Sequence, residues 1–260
     1  MNRNPLPQDR LEQLKRFKHE LTRFMLSYKF GLEEIKTKID IMKQEFELIH
    51  DYNPIEHVKS RLKTPESILK KIQRRGYDWS LESIRENVRD IAGLRINCSF
   101  VSDIYKVSDL LQKQQDITVV EYKDYIKAPK PNGYQSLHMI LQTPVPLSDR
   151  VSDVYVEVQI RTIAMDFWAS LEHKIYYKYD KDVPSHLKDG LKEAAETVAR
   201  LDAKMEQIHQ EMQQVKNSCP PSEEDLQELF ISGNRLPLPL DFLSLLFNPH
   251  RSSLIREKPR

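Results

Sequence analysis

The segment DVYVEVQIR, residues 153–161, alternates apolar and polar side chains along its whole length. This period of two is typical of a β-strand that has one face in a core. Val154, Val156, Val158 and Ile160 lie on one face, and Tyr155, Glu157, Gln159 and Arg161 lie on the other. We therefore expect the strand to hold Glu157 rigidly and to desolvate its carboxylate in part.

Other elements are predicted on both sides of this strand. The same alternation predicts a strand at 94–100, and short apolar runs predict strands at 116–122 and 137–142. Apolar residues at helical spacing predict one helix or two in series over 8–50, and further helices over 64–75, 102–114, 162–178 and 185–216. The order of helix, mixed strands and helices, then helix predicts an α/β or α+β fold with helices covering a sheet.

Composition narrows the functional class. The net charge of +1 argues against a general nucleic-acid binder, so anion binding has to come from local clusters. The sequence has no apolar run long enough to span a membrane and no signal-peptide pattern. Its two cysteines cannot form a disulfide framework, so we expect a cytoplasmic protein without a membrane partner. No GxxxxGK[ST] motif is present, so a P-loop is not the phosphate-binding device.

A basic cluster spans Lys59 to Arg75, with seven Lys or Arg residues and a single acid. Thr64-Pro65-Glu66 has the pattern of a helix start. Ser67, Lys71 and Arg74 then share one face of that helix. A cationic stripe at a helix N-terminus suits a polyphosphate, while the alternative is an ordinary solvated helix face.

Two carboxylates, Asp90 and Glu157, form a second constellation. Asp90 precedes the strand that begins near Gly93, and Glu157 lies mid-strand. Carboxylates on neighbouring strands can hold Mg²⁺, which usually takes one or two of them together with substrate phosphates. The alternative is that each acid pairs with a nearby arginine.

The third constellation is the loop KAPKPNGYQSLH, residues 127–138. A tyrosine presented after a glycine can stack on a base, while lysines reach phosphates. The alternative is a basic surface loop.

Three longer segments together resemble the synthetase domain of RelA/SpoT-type alarmone synthetases. They are RDIAGLRINCSF (89–100), KDYIKAPKPNGYQSLH (123–138) and EVQIRTIAMDFWASLEHKIYYKY (157–179). The segment that precedes them, YNPIEHVKSRLKTPESILKK (52–71), resembles the small, stand-alone members of this family, closest to the RelP group. The short length of the chain is also similar to that of these members. The resemblance implies a nucleotidyltransferase-like mixed sheet of about five strands flanked by helices. It also implies transfer of the β,γ-pyrophosphate of ATP to the 3′-hydroxyl of GDP or GTP, with Mg²⁺, in a homotetramer.

The resemblance implies a role for each residue of the site. Asp90 would hold Mg²⁺, and Glu157 would contact the metal region and activate the acceptor hydroxyl. Arg61 and Arg95 would sandwich adenine, and Tyr134 would stack on guanine. The residues implied around the ATP phosphates are Lys63, Ser67, Lys71 and Arg74. Those implied on the acceptor side are Lys123, Lys130, Gln135, His138 and Gln159.

The expected organisation has four parts: a helical segment over 1–52, the synthetase domain over 53–180, an oligomerisation helix over 181–216 and a disordered tail over 217–260. We expect synthesis of alarmone without hydrolysis, because no hydrolase domain is recognised.

Two alternative functions stay open. One is a protein that binds single-stranded RNA through the same basic cleft, using Tyr122, Tyr125 and Tyr134. The other is a synthetase that takes an adenosine nucleotide as acceptor.

Overall fold

A five-stranded mixed sheet lies at the centre of the protein in a computed structural model, which describes residues 7–50, 52–178, 183–218, 228–231 and 234–237. Its strands are β1 (Ile55–Leu62), β2 (Ala92–Cys98), β3 (Thr118–Asp124), β4 (Leu137–Pro146) and β5 (Val151–Thr162). They lie in the order β1-β2-β5-β4-β3. Within this sheet β2 and β5 run parallel, and the other neighbours run antiparallel. The mixed sheet flanked by helices confirms the predicted fold class.

Six helices flank the sheet in the described part of the chain. They are α1 (Gln8–Ile49), α2 (Pro65–Arg75), α3 (Leu81–Asn87), α4 (Val101–Gln112), α5 (Ile163–Lys178) and α6 (Ser185–Asn217). The predicted N-terminal helical segment is one continuous helix, α1. None of the described helices has the length and apolar character needed to cross a membrane.

The sequence patterns missed β1 and α3. Strand β1 shifts register between Ile55 and His57, and such an irregularity interrupts the period of two by which a strand is recognised. Helix α3 has only seven residues and is fixed at its start by the Ser80 side chain, which accepts from the Ser83 N–H. An element of two turns shows too little periodicity to be recognised.

The apolar face of β5 forms the middle of the core, as its alternation predicts. Val154, Val156, Val158 and Ile160 are each at most 1% exposed. Helix α1 packs across this face and lies very near β5 at Gly31, where a Cβ atom would be only 2.3 Å from Val154 Cγ2. Helix α4 covers the same face further along, with the Ser108 hydroxyl 3.5 Å from the Met139 sulfur. Helices α1 and α4 therefore leave the opposite, polar face of the sheet uncovered. That face is contacted by α5 and carries the predicted site residues of the strands.

The predicted disordered tail lies largely outside the described residues, which omit 219–227, 232–233 and 238–260. Within the tail, β6 (Glu228–Ile231) and β7 (Asn234–Pro237) pair as an antiparallel hairpin, where the sequence predicted no regular structure.

The close approach at Gly31 generates a stability prediction. Gly31→Ala should lower the free energy of unfolding by about 1–3 kcal/mol, because the new methyl group would overlap a stiff valine on the central strand. Urea unfolding followed by circular dichroism measures the change.

Gly190→Ala is the matched control, because Gly190 is also helical but has no atom within 4 Å of an added Cβ. It should raise stability by roughly 0.5–1 kcal/mol through helix propensity. Equal effects of the two substitutions would contradict the close α1–β5 packing.

Candidate active site

Strand register arranges six of the fourteen predicted site residues in two rows on the polar face of the sheet. The first row crosses all five strands and contains Lys59, Arg95, Gln159, His138 and Lys123. The second row contains Arg61, Gly93, Glu157, Ile140 and Glu121. Paired residues point to the same face of a sheet, so Glu157 lies between an arginine-rich side and a lysine- and histidine-containing side.

The arginine-rich side has a small cavity of about 160 Å³. Arg61, Arg95, Glu157 and Gln159 are among the residues that line it. Arg61 lies against β2 at Gly93, where an added Cβ would be 3.4 Å from both Cγ and Nε of that arginine, which is ordinary van der Waals contact. Arg95 is oriented by an ion pair with Asp166, at 3.0 Å between Nη1 and Oδ1.

Asp90 lies three residues before Gly93 and binds two lysines. Lys63 Nζ is 2.5 Å from Oδ2, and Lys71 Nζ is 2.7 Å from Oδ1. Burial pushes the pKa of this carboxyl up, but the two ammonium groups outweigh burial and hold the pKa below its ordinary value. Asp90 is therefore an anion at neutral pH. Its partners are lysines, whereas the alternative interpretation of the sequence expected an arginine.

Helix α2 brings Lys71 to Asp90. Thr64 caps the helix by accepting the N–H of Ser67, and Lys71 lies one turn after Ser67. The Thr64 hydroxyl also donates to Ser67 Oγ at 2.9 Å, which keeps Ser67 at the helix N-terminus. Arg74, near the other end of α2, is exposed.

The loop between β3 and β4 carries Lys130, Tyr134 and Gln135, which were predicted for the acceptor side. Lys130 Nζ lies 4.8 Å from the centre of the Tyr134 ring and 4.6 Å from that of Tyr125. Gly133 has φ of +86°, and a Cβ there would lie 2.5 Å from that of Ala195 on α6. This turn therefore requires glycine for two reasons. The positive φ is unfavourable for other residues, and α6 leaves no room for a side chain.

Three predicted acceptor residues have local partners in this structure. Lys123 forms an ion pair with Glu121 on the same edge strand. The amide nitrogen of Gln135 lies 3.5 Å from the backbone oxygen of Ile126, within the loop. Gln159 accepts a hydrogen bond from Arg161 at 2.7 Å. Of these three residues, Gln135 is the one whose side chain faces the backbone of its own loop.

His138 lies between Tyr134 and Glu157. Its Nε2 is 2.7 Å from the Tyr134 hydroxyl, and its Nδ1 is 4.0 Å from Glu157 Oε1. Burial, followed by the nearby positive charges led by Arg161, lowers the pKa of His138 to about 3. The imidazole is therefore neutral at physiological pH.

Arg161 and Asp166 belong to the site, although sequence reasoning gave them no role. Arg161 is only 4% exposed, and Asp166 binds Arg161, Arg95 and Asn97. The polar-face position of Arg161 was visible in the alternation of β5. Its burial depends on α5 packing over this face, which the local pattern does not reveal.

Known proteins are similar to this chain in sequence and in fold. Residues 60–182 match the family described as "Region found in RelA / SpoT proteins". GTP pyrophosphokinase YwaC of Bacillus subtilis is 52% identical over 202 residues, which make up 78% of this chain and 96% of that protein. The chain belongs to the RelA/SpoT family.

Two crystal structures of RelA/SpoT-family enzymes share its fold. Small alarmone synthetase 2 of Bacillus subtilis is 53% identical, with a TM-score of 0.68 over 74% of this chain and 99% of that one. Small alarmone synthetase 1 of Bacillus subtilis, bound to its product pppGpp, is 40% identical, with a TM-score of 0.69 over 75% and 98% of the two chains. The predicted resemblance is confirmed, while assignment to the RelP group stays a prediction.

The buried imidazole makes stability depend on pH. The ordinary pKa of 6.5 lies above the folded value of about 3, so between these values the unfolded chain holds a proton that the folded chain lacks. Stability should therefore fall as the pH falls below about 6.5. From pH 7 to pH 5 the native protein should lose about 1–2 kcal/mol more than His138→Gln does, as measured by urea unfolding at each pH.

His186→Gln, at an exposed position on α6, controls for the loss of a histidine and should follow the native curve. Parallel curves for the native protein and His138→Gln would contradict the buried, neutral imidazole.

Proposed function

We propose that this member of the RelA/SpoT family is a GTP pyrophosphokinase. It transfers the β,γ-pyrophosphate of ATP to the 3′-hydroxyl of GDP or GTP, giving ppGpp or pppGpp and AMP. The observation that carries the proposal is the position of Glu157, between the cavity beside Arg61 and Arg95 and the loop that carries Tyr134. The geometry thus has separate donor and acceptor sides with one carboxylate between them.

On the donor side, Arg61 and Arg95 are the groups for adenine. A guanidinium is planar and stacks on an aromatic ring, which the ammonium group of lysine does not. Lys63, Ser67, Lys71 and Arg74 are the groups for the phosphates. The ion pairs of Lys63 and Lys71 with Asp90 support this role, because they hold two ammonium groups in place before a nucleotide arrives.

We propose that Asp90 and Glu157 hold Mg²⁺ together with the phosphates of ATP. The donor set fits, since Asp90 is anionic and Mg²⁺ uses one or two carboxylates with substrate oxygens. Among the described residues, no group of three or more His, Cys, Asp or Glu side chains could hold a metal by itself. A site completed by the nucleotide is consistent with that finding. The ion supplies neutralisation of charge on the phosphates.

On the acceptor side, Tyr134 is the ring for guanine, and the polar groups are Lys123, Lys130, Gln135, His138 and Gln159. Glu157 takes the proton of the 3′-hydroxyl as that oxygen forms a bond to the β-phosphorus of ATP. The bond from the β-phosphorus to the oxygen it shares with the α-phosphate breaks, and AMP leaves. Catalysis then depends chiefly on positioning and charge neutralisation, as in other phosphoryl transfers.

The RNA-binding alternative gains no support. The relative is named as a GTP pyrophosphokinase, and the two solved structures are named as alarmone synthetases. Binding of single-stranded RNA does not need a carboxylate such as Asp90, which here pairs with two lysines.

The identity of the base is tested directly by activity. With Mg²⁺ and ATP present, GDP and GTP should each yield AMP and a 3′-pyrophosphorylated product, resolved by anion-exchange chromatography. ADP, added as a competing acceptor, should not displace GDP at equal concentration. Preferential use of ADP would overturn the guanosine assignment and leave the reaction class intact.

Glu157→Gln should lower the rate of alarmone formation by at least about 100-fold, because the amide cannot accept the proton of the 3′-hydroxyl. Initial rates of AMP release measure the effect. Asp153→Asn, at an exposed position on the same strand, is the matched control and should keep the native rate. An unchanged rate in Glu157→Gln would remove this residue from its role.

We also propose that the protein is a homotetramer and that α6 supplies one of its interfaces. Helix α6 carries exposed apolar residues spaced alternately by four and three, the pattern by which helices of separate chains pack together. They are Leu201, Met205, Ile208, Met212 and Val215. This stripe extends about 21 Å along the helix, and a second copy of the chain is the occupant that we propose.

Met205→Glu combined with Met212→Glu should reduce the mass of the assembly, because two charges would be buried in the stripe. Size-exclusion chromatography with light scattering measures the mass, and circular dichroism checks that the helix persists. Gln207→Glu with Gln214→Glu adds the same charges at the same spacing off the stripe and should leave the mass unchanged. An unaltered mass in the methionine variant would place the interface elsewhere.

A further inference from the structure

Beneath the acceptor side, three side chains are joined by short polar contacts, and the last of them faces a fourth. Arg161 Nη2 donates to the Tyr134 hydroxyl at 2.5 Å. The same hydroxyl is 2.7 Å from His138 Nε2. His138 Nδ1 then faces Glu157 Oε1 at 4.0 Å.

The two ends of this chain favour one direction for the protons between them. A guanidinium has only donors, and a carboxylate has only acceptors. Because the Tyr134 hydroxyl already accepts from Arg161, its own proton is free to be donated to His138 Nε2, and in that arrangement Nε2 is unprotonated. The single ring proton of the neutral imidazole is left on Nδ1, where it points at the Glu157 carboxylate. The reverse arrangement would turn a nitrogen lone pair towards that carboxylate, which is electrostatically unfavourable.

Arg161 itself has little freedom to move. It is buried and held by Asp166 at 3.2 Å and by Ser136 Oγ at 3.4 Å, while its Nη2 also donates to Gln159 at 2.7 Å. A buried charge with this many partners is held in a single geometry, because breaking any of the contacts would leave a polar group unsatisfied.

We propose that Arg161, through the Tyr134 hydroxyl, is a positioning residue that fixes His138 in the Nδ1–H tautomer and so orients Glu157. The Tyr134 side chain then has two separable parts, a ring that packs against the base and a hydroxyl that sets the direction of the proton chain.

The consequence for catalysis rests on the proposed function. An N–H directed at Oε1 orients the Glu157 side chain, leaving Oε2 to accept the proton of the 3′-hydroxyl. Loss of the Tyr134 hydroxyl should therefore act on the chemical step, while the ring continues to bind the acceptor.

The tautomer can be measured without substrate. Magic-angle-spinning NMR of the ¹⁵N-histidine-labelled protein distinguishes Nδ1–H from Nε2–H rings, with line widths that do not depend on the size of the assembly. The signal of His138 is assigned by its loss in His138→Gln. We expect the Nδ1–H form in the native protein, and appearance of the Nε2–H form in Tyr134→Phe.

Tyr28→Phe is the matched control for the missing hydroxyl. Tyr28 is also buried, but its hydroxyl has no hydrogen-bond partner among the described residues and it lies on α1 in the core. It should leave the His138 signal and the rate of synthesis as they are in the native protein.

The kinetic expectation separates positioning from binding. Tyr134→Phe should lower kcat by roughly 2- to 10-fold, the effect of one lost hydrogen bond, while KM for GDP changes by less than about 2-fold. Arg161→Gln introduces an acceptor at the head of the chain and should also admit the Nε2–H form. If Arg161→Gln does not fold, the His138 tautomer and the kcat of Tyr134→Phe test the proposal by themselves.

An Nε2–H ring in the native protein would overturn the inference, whatever the enzyme makes. An Nδ1–H ring that is unchanged in Tyr134→Phe would remove the role of the hydroxyl. A protein with the expected tautomers but without alarmone synthesis would sink the proposed function and leave the proton chain intact.

Discussion

The parallel pairing of β2 with β5 is the constraint on which the site depends. It sets Gly93 beside Glu157 and Arg95 beside Gln159, and so joins the strand that carries the donor-side arginine to the strand that carries the carboxylate. A slip of one residue would turn every side chain of β5 to the opposite face, moving Glu157 into the core and the valines out of it. Burial of the β5 valines at 0–1% exposure makes such a slip very costly, so the core fixes the face on which Glu157 lies.

Concentrating cations on one face of the sheet carries an electrostatic cost, and internal anions offset it. Asp90 neutralises part of the charge on Lys63 and Lys71, while Asp166 does the same for Arg95 and Arg161. His138, which has cations on several sides, adds no charge because its imidazole stays neutral. The site thus keeps donors in position for an anionic ligand while limiting the repulsion among them.

Local patterns predicted the parts of the fold that are local in origin. The alternation at 153–161 matches β5 at Val151–Thr162, because both faces of that strand have strongly contrasting environments. The same reasoning failed for β1, whose bulge interrupts the alternation, and for α3, which is too short. The rows across the sheet depend on pairing between residues far apart in sequence, which no local period encodes. For the same reason, the lysine pair on Asp90 and the buried partners of Arg161 became visible only in the folded chain.

The position of β1 and β3 at the two edges of the sheet has a further consequence, concerning solubility. An open edge offers unpaired backbone groups to the strands of other molecules, and charged side chains on edge strands discourage such pairing. Lys59 and Lys63 lie on or just after β1, and Glu121 and Lys123 lie on β3. These charges on the edge strands therefore protect the sheet from intermolecular association. Removing them would expose a surface prone to aggregation, even where the fold itself is unchanged.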